Sequence, residues 1–133
     1  MLLPEPDQTI LCRRDEIISA LKRFVPAGAV IDDDTTMAAY DTDGLSAYRN
    51  QPLVVVLPET TQQVAAVMKW CRDNDVKIVP RGAGTSLSGG AIPLADGVLL
   101  GLGKFNQILD IDFINRAVTA QPGVTNLGIT QAV

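Results

Sequence analysis

Histidine is absent from the 133 residues. No His-ligated metal site and no Ser-His-Asp triad can therefore come from this chain. Cysteine is nearly as scarce. Cys12 and Cys71 form neither a metal spacing nor a C-x-x-C pair. Cys71 falls in a helical apolar pattern and reads as a small buried hydrophobe, while Cys12 falls in a stretch read as an N-terminal strand. Positive charge is also in deficit, with 11 Lys and Arg against 15 Asp and Glu, for a net charge of -4. With no basic run, the charge argues against a whole-chain preference for nucleic acid or anionic membrane, although not against a local anion site. No apolar stretch is long enough to span a membrane. The N-terminus reaches Glu5 and Asp7 without the basic-then-apolar order of a secretory signal. These absences favour a cytosolic setting, with attachment through another subunit left open.

What is present is 47% hydrophobic residues, enough for one modest domain or part of a larger one. Asp15 to Phe24 reads as a helix capped by Asp15, with Ile17, Ile18, Leu21 and Phe24 on one stripe. Pro26 and Gly28 end it, and a short Ala29–Ile31 strand follows. The acidic run Asp32–Asp34 lacks the spaced oxygen ligands of a calcium loop and reads as a solvated turn into a short helix near Thr35–Tyr40. Leu53 to Leu57 is a continuous branched run suited to a strand covered on both faces. Thr60 or Thr61 caps the next helix, where Val64, Val67, Met68 and Cys71 recur at helical spacing and Met68 reads as core. Trp70 is expected to cover the edge of this helix. Asn74 and Asp75 end the helix, and Val76–Val79 supplies another strand. A helix beside a mostly parallel pair provides the crossover such strands need, so the fold class is α/β. Further strands are expected at Val98–Leu102, Ile108–Asp112 and Ala117–Ala120, then a helix from Asn126 with Leu127, Ile129 and Val133 unpartnered.

The segment Ile78 to Pro93 carries the functional signal. A strand runs into a loop dense in glycine and hydroxyl residues. Gly82 and Gly84 let the backbone turn and bring its N–H groups close to a ligand. Consecutive amides in such a turn form a concavity suited to phosphate or pyrophosphate. Thr85, Ser86 and Ser88 add hydroxyls. A nucleotide-bearing cofactor is the first functional hypothesis, and a plain glycine-rich turn is its alternative. A dinucleotide fingerprint fails because Leu87 holds the third glycine position. A P-loop fails for want of a Gly-Lys-Ser/Thr ending. The turn Pro122-Gly123-Val124 is a second place where amides are expected to approach a cofactor, with an ordinary strand-end turn fitting almost equally well.

Four landmarks occur in order: Tyr40-x-x-Asp43-Gly44, Val55-Val56-Leu57-Pro58-Glu59-Thr60, Pro80-Arg-Gly-Ala-Gly-Thr-Ser-Leu-Ser-Gly-Gly, and Gln121-Pro122-Gly123-Val124. Together they resemble FAD-linked oxidases and dehydrogenases of the vanillyl-alcohol oxidase/p-cresol methylhydroxylase (PCMH) fold, especially the glycolate oxidase flavin subunits and D-lactate dehydrogenases. The resemblance implies the first α/β subdomain of a PCMH-type FAD-binding domain plus the start of the second. An N-terminal helical extension would occupy 1–50 and the flavin domain 51–133, truncated at its C-terminus and without the cap domain. It implies noncovalent FAD, since the region around Gly82–Thr85 has neither histidine nor cysteine. Pro80, Arg81, Gly82, Ala83, Gly84, Thr85 and Ser86 would line the pyrophosphate, Gly89 would shape the loop, and Pro122, Gly123 and Val124 would approach the flavin side. Arg81 either neutralises phosphate or braces the loop through a carboxylate elsewhere. Tyr40 and Asp43 are expected to serve packing and turn formation.

The activity implied is oxidation of a 2-hydroxy acid to the 2-oxo acid, glycolate to glyoxylate in the first instance, with electrons leaving reduced flavin for another acceptor. Partner subunits carrying flavin and iron–sulfur centres are implied as well, and so is attachment at the inner membrane through them. No residue of this chain is assigned to catalysis. The alternatives are a noncatalytic FAD-binding or assembly fragment, and a flavoenzyme for another alcohol or a sugar.

Overall fold

Alternation within the branched runs builds two covered faces on one sheet. The computed structural model describes residues 3–133. It begins with helices α1 (Gln8–Cys12) and α2 (Arg14–Leu21), strand β1 (Val30–Ile31), and the short helix α3 (Asp34–Met37), which runs into a 3-10 turn over Ala38–Tyr40. Strand β2 (Val54–Val56), helix α4 (Thr61–Asp73), and strands β3 (Lys77–Arg81) and β4 (Gly97–Gly101) complete the first unit. Strands β5 (Ile108–Asp112) and β6 (Ala117–Ala120) form a separate antiparallel hairpin, followed by α5 (Asn126–Ala132).

The four-stranded sheet has the order β1-β2-β4-β3. Strand β4 runs parallel to both neighbours, and β1 is antiparallel to β2. The strand–helix–strand unit expected from sequence is present, but β2 and β3 do not touch. Their crossover leaves one place between them, which β4 fills. Strand β3 is thus an edge, the position where Pro80 can sit without removing a ladder hydrogen bond.

Successive side chains of a strand face opposite ways. Val54, Val56, Val98 and Leu100 join Ile17, Ile18, Leu21, Val67 and Cys71 on the face covered by α2 and α4. Val55, Leu99 and Val79 join Met37 on the other. Burial of each such valine or leucine contributes roughly 1.5–3 kcal/mol, so the all-apolar runs are explained by two-sided cover. Burial also pushes the Cys71 thiol up to about 11, which makes it packing rather than chemistry.

The expectations for Cys12, Asp15 and Met68 are corrected, and those for Trp70, Thr60 and the acidic run are made specific. Cys12 lies in helix α1, whose start is capped by Asp7 accepting from the Thr9 amide at 2.8 Å. Asp15 is not a cap but sits in the first turn of α2, which ends at Leu21 rather than Phe24. Met68 is 51% exposed, because the buried stripe of α4 runs through Val67 and Cys71. Trp70 packs partly buried against the larger core. Thr60 is the cap of α4, accepting from the Gln63 amide at 3.2 Å. Each member of the acidic run has a structural task. Asp32 pairs with Lys22, Asp33 caps α3 through the Thr36 amide, and Asp34 accepts from Gln51.

Candidate cofactor site

The glycine loop starts where β3 stops, at the C-terminal end of parallel strands, the usual ligand position in open α/β sheets. Gly82, Ala83 and Thr85 are exposed. Among the described residues, the amides of Gly82, Ala83, Gly84, Thr85 and Ser86 donate no hydrogen bond. Water meets such exposed donors, and a run of them on a loop of fixed shape is also free to bind an anion.

The loop nevertheless has a defined shape. Gly84 has φ +72°, a conformation L side chains rarely adopt, and a Cβ there would fall on the Arg81 guanidinium. Gly89 takes φ +76° at the return. The Ser86 hydroxyl oxygen accepts from the amides of Ser88 and Gly90, each at 3.3 Å, and so shapes the loop from within. At Gly82, by contrast, an added Cβ would meet nothing closer than the Pro122 carbonyl oxygen at 3.9 Å. The chain itself does not require glycine there.

Residues 40–50 support this loop. Arg81 Nη1 donates to the carbonyls of Thr42 at 2.6 Å and Tyr40 at 3.2 Å. Its guanidinium carbon lies 5.7 Å from the centre of the Tyr40 ring. Of the two roles open to Arg81, the bracing one is present, through carbonyls rather than a carboxylate. Asp43 is buried and accepts from the amides of Leu45 at 2.8 Å and Ala91 at 3.3 Å. A Cβ on Gly44 would lie 2.8 Å from the Ser86 carbonyl oxygen and 2.9 Å from that of Thr85, so only glycine lets the two segments touch. The packing and turn-forming tasks expected of Tyr40 and Asp43 are what the structure gives them, and both act on the loop.

The second turn, Pro122-Gly123-Val124, comes close to the first at Gly82 but differs in its donors. The Gly123 amide donates to the Phe105 carbonyl at 2.7 Å and the Val124 amide to that of Gln121 at 3.1 Å. These amides are already engaged within the chain, as in an ordinary strand-end turn. What the turn offers is surface. Gly103, Asn106, Ile108, Gly123, Val124 and Thr125 help line an open groove of about 500 Å³. Among the described residues there is no cluster of metal-ligating side chains and no helix long and apolar enough to cross a membrane.

Known proteins match this arrangement. A family profile described as an FAD binding domain covers residues 52–133. The chain is 47% identical over 131 residues to the glycolate oxidase subunit GlcD of Escherichia coli strain K12, covering 98% of this chain and 25% of that protein. It is 31% identical over 115 residues to the D-2-hydroxyglutarate dehydrogenase of Stutzerimonas stutzeri, covering 86% of this chain and 25% of that one. In three dimensions it aligns with substrate-bound p-cresol methylhydroxylase at a TM-score of 0.75 and 21% identity, over 99% of this chain and 26% of that structure. The chain thus spans about a quarter of the length of the relatives it matches. Its mixed, two-faced sheet, the glycine loop at the strand ends and the profile match agree: the chain belongs to the FAD binding domain family and has the fold of the PCMH-type flavoproteins.

Proposed function

We propose that this chain is the part of a 2-hydroxy-acid oxidoreductase that holds the FAD diphosphate, and that glycolate is the substrate of the whole protein. The observation that carries the cofactor role is the open row of amides from Gly82 to Ser86 on a loop whose shape is fixed elsewhere. Those donors match phosphate oxygens, and the open space at Gly82 admits them closely. Pro80, Ala83 and the exposed Thr85 hydroxyl complete the lining, while Pro122, Gly123 and Val124 wall the groove toward the flavin. FAD is held noncovalently in this reading.

Bound FAD would supply the two-electron acceptor for oxidation of the 2-hydroxy acid. This chain positions the cofactor and keeps its phosphates among fixed dipoles. No residue of this chain is assigned to the substrate carboxylate or to the base for its hydroxyl proton. The 47% identity to a glycolate oxidase subunit, against 31% to a hydroxyglutarate dehydrogenase, favours glycolate. The relative's designation as a subunit favours assembly with partner chains.

Titration of the chain with FAD, read by flavin fluorescence and calorimetry, tests the cofactor role. Saturable binding that a Gly84→Glu variant abolishes is the expected result. A folded chain that binds FAD equally well in both forms sinks the loop as the site. For the substrate, a full-length parent that oxidises no short 2-hydroxy acid overturns the reading.

A further inference from the structure

Arg81 is the last residue of β3, and its carbonyl accepts from the Leu102 amide at 2.8 Å, so its backbone belongs to the rigid sheet. Its side chain crosses to a segment some 40 residues upstream, where Nη1 is engaged by the carbonyls of Tyr40 and Thr42. The rest of the guanidinium lies against Gly84, the residue whose left-handed backbone leaves room for it. Among the described residues Arg81 makes no ion pair with a carboxylate. Further along, Asp43 holds the Ala91 amide, and Asn50 Nδ2 donates to the Pro93 carbonyl at 3.0 Å. These supports all come from residues 40–50, outside the stretch 52–133 that the family profile covers.

We propose that Arg81 is a positioning residue that latches the glycine loop to Tyr40–Thr42, presetting its open amides for the diphosphate, rather than a ligand of the phosphates. This rests on the FAD reading above. A planar guanidinium serves because one nitrogen bonds two carbonyls while its plane packs on Gly84 and faces an aromatic ring. Its charge, unpaired with any carboxylate among the described residues, also leaves a positive field at the loop that an arriving anion relieves. A lysine ammonium keeps the charge but loses the planar face that packs on Gly84 and the Tyr40 ring. The latch and the charge are therefore separable.

The test begins on the isotope-labelled chain without FAD. The Arg81 Nη1 hydrogens are expected to exchange slowly and to show hindered rotation. A freely rotating guanidinium overturns the latch, and this reading needs no variant to fold. In Arg81→Lys and Arg81→Met, the order parameters of the 82–86 amides should fall from the rigid range near about 0.85 to below about 0.6, with those of β4 unchanged. An equally ordered loop in Arg81→Met overturns the proposal, even if FAD affinity drops, because that pairing marks a direct phosphate ligand. FAD affinity should weaken about tenfold or more in both variants, as expected for loss of charge-assisted hydrogen bonds. Wild-type affinity in Arg81→Lys with a disordered 82–86 loop assigns the effect to charge alone and overturns the latch. If the wild-type chain has an ordered loop and a hindered guanidinium yet binds no FAD, the cofactor reading fails while the latch stands.

Discussion

The glycine loop and the Pro122–Val124 turn read alike in sequence, as glycine turns at strand ends, yet the structure uses them differently. In the turn, the Gly123 and Val124 amides bond carbonyls of the chain itself. In the loop, the amides from Gly82 to Ser86 stay open while side chains and a neighbouring segment hold the backbone in place. Glycine content is thus a poor guide to a phosphate cradle. The useful question is where each backbone hydrogen bond goes. The same question separates the glycines. Gly84 and Gly123 are required by the chain's own packing, whereas Gly82 is not.

The largest effect that would sharpen this contrast is expected at Gly84. Its glutamate variant places a bulky anion on the Arg81 guanidinium and in the diphosphate cradle, and should abolish FAD binding. Next comes Gly123→Ala. A Cβ there would lie 2.7 Å from the carbonyl oxygens of Leu102 and Phe105, backbone atoms that cannot swing aside. A loss of about 3 kcal/mol of stability is expected, read from chemical denaturation. Little loss would mean the turn is as open as the loop, which breaks the comparison. Gly82→Ala should do the converse. Its stability should stay within about 0.5 kcal/mol of wild type, as for substitutions free of clashes, while FAD affinity weakens about tenfold, or 1.4 kcal/mol.

The smallest effect is a control at the other end of β3. Asp96 is buried, accepting from the Asp7 amide and paired with Lys77. Burial alone would raise its carboxyl, but the Lys77 ammonium and the Asp7 amide outweigh this and hold it below the usual aspartate range. The folded value lies below the unfolded one, so the contribution is complete above the unfolded value and fades as pH falls through the folded one. Asp96→Asn should cost about 1 kcal/mol at pH 7, and this difference should shrink in strong acid. FAD affinity should not change. A Tm series against pH beside an FAD titration checks both.

Local chemistry made much of this legible. Leu53–Leu57 announced a two-sided strand, and the Thr60-Thr61 pair a helix cap, which Thr60 supplies. Other features depended on distance in sequence. That β4 would slide between β2 and β3 was not encoded in either strand's own pattern. The partners of Arg81 are carbonyls, which every residue carries, so no side-chain motif could mark Tyr40 and Thr42 as their source. The engagement of Gly123 depends likewise on the Phe105 carbonyl. Helix α1 was missed for a nearer reason. Asp7 is a recognisable cap, but the helix behind it spans only Gln8–Cys12, too short for a clear period. Met68 was misplaced because it sits one residue past the buried Val67, just outside the stripe.

The most direct measurement is an amide-resolved NMR titration of the chain with FAD. Saturable shifts should centre on Gly82, Ala83, Gly84, Thr85 and Ser86, with the Gly123 and Val124 amides keeping their protection from exchange. Binding that leaves the 82–86 amides unmoved, or that frees the Gly123 and Val124 amides to meet the cofactor, would contradict the assignment of the open loop as the diphosphate site.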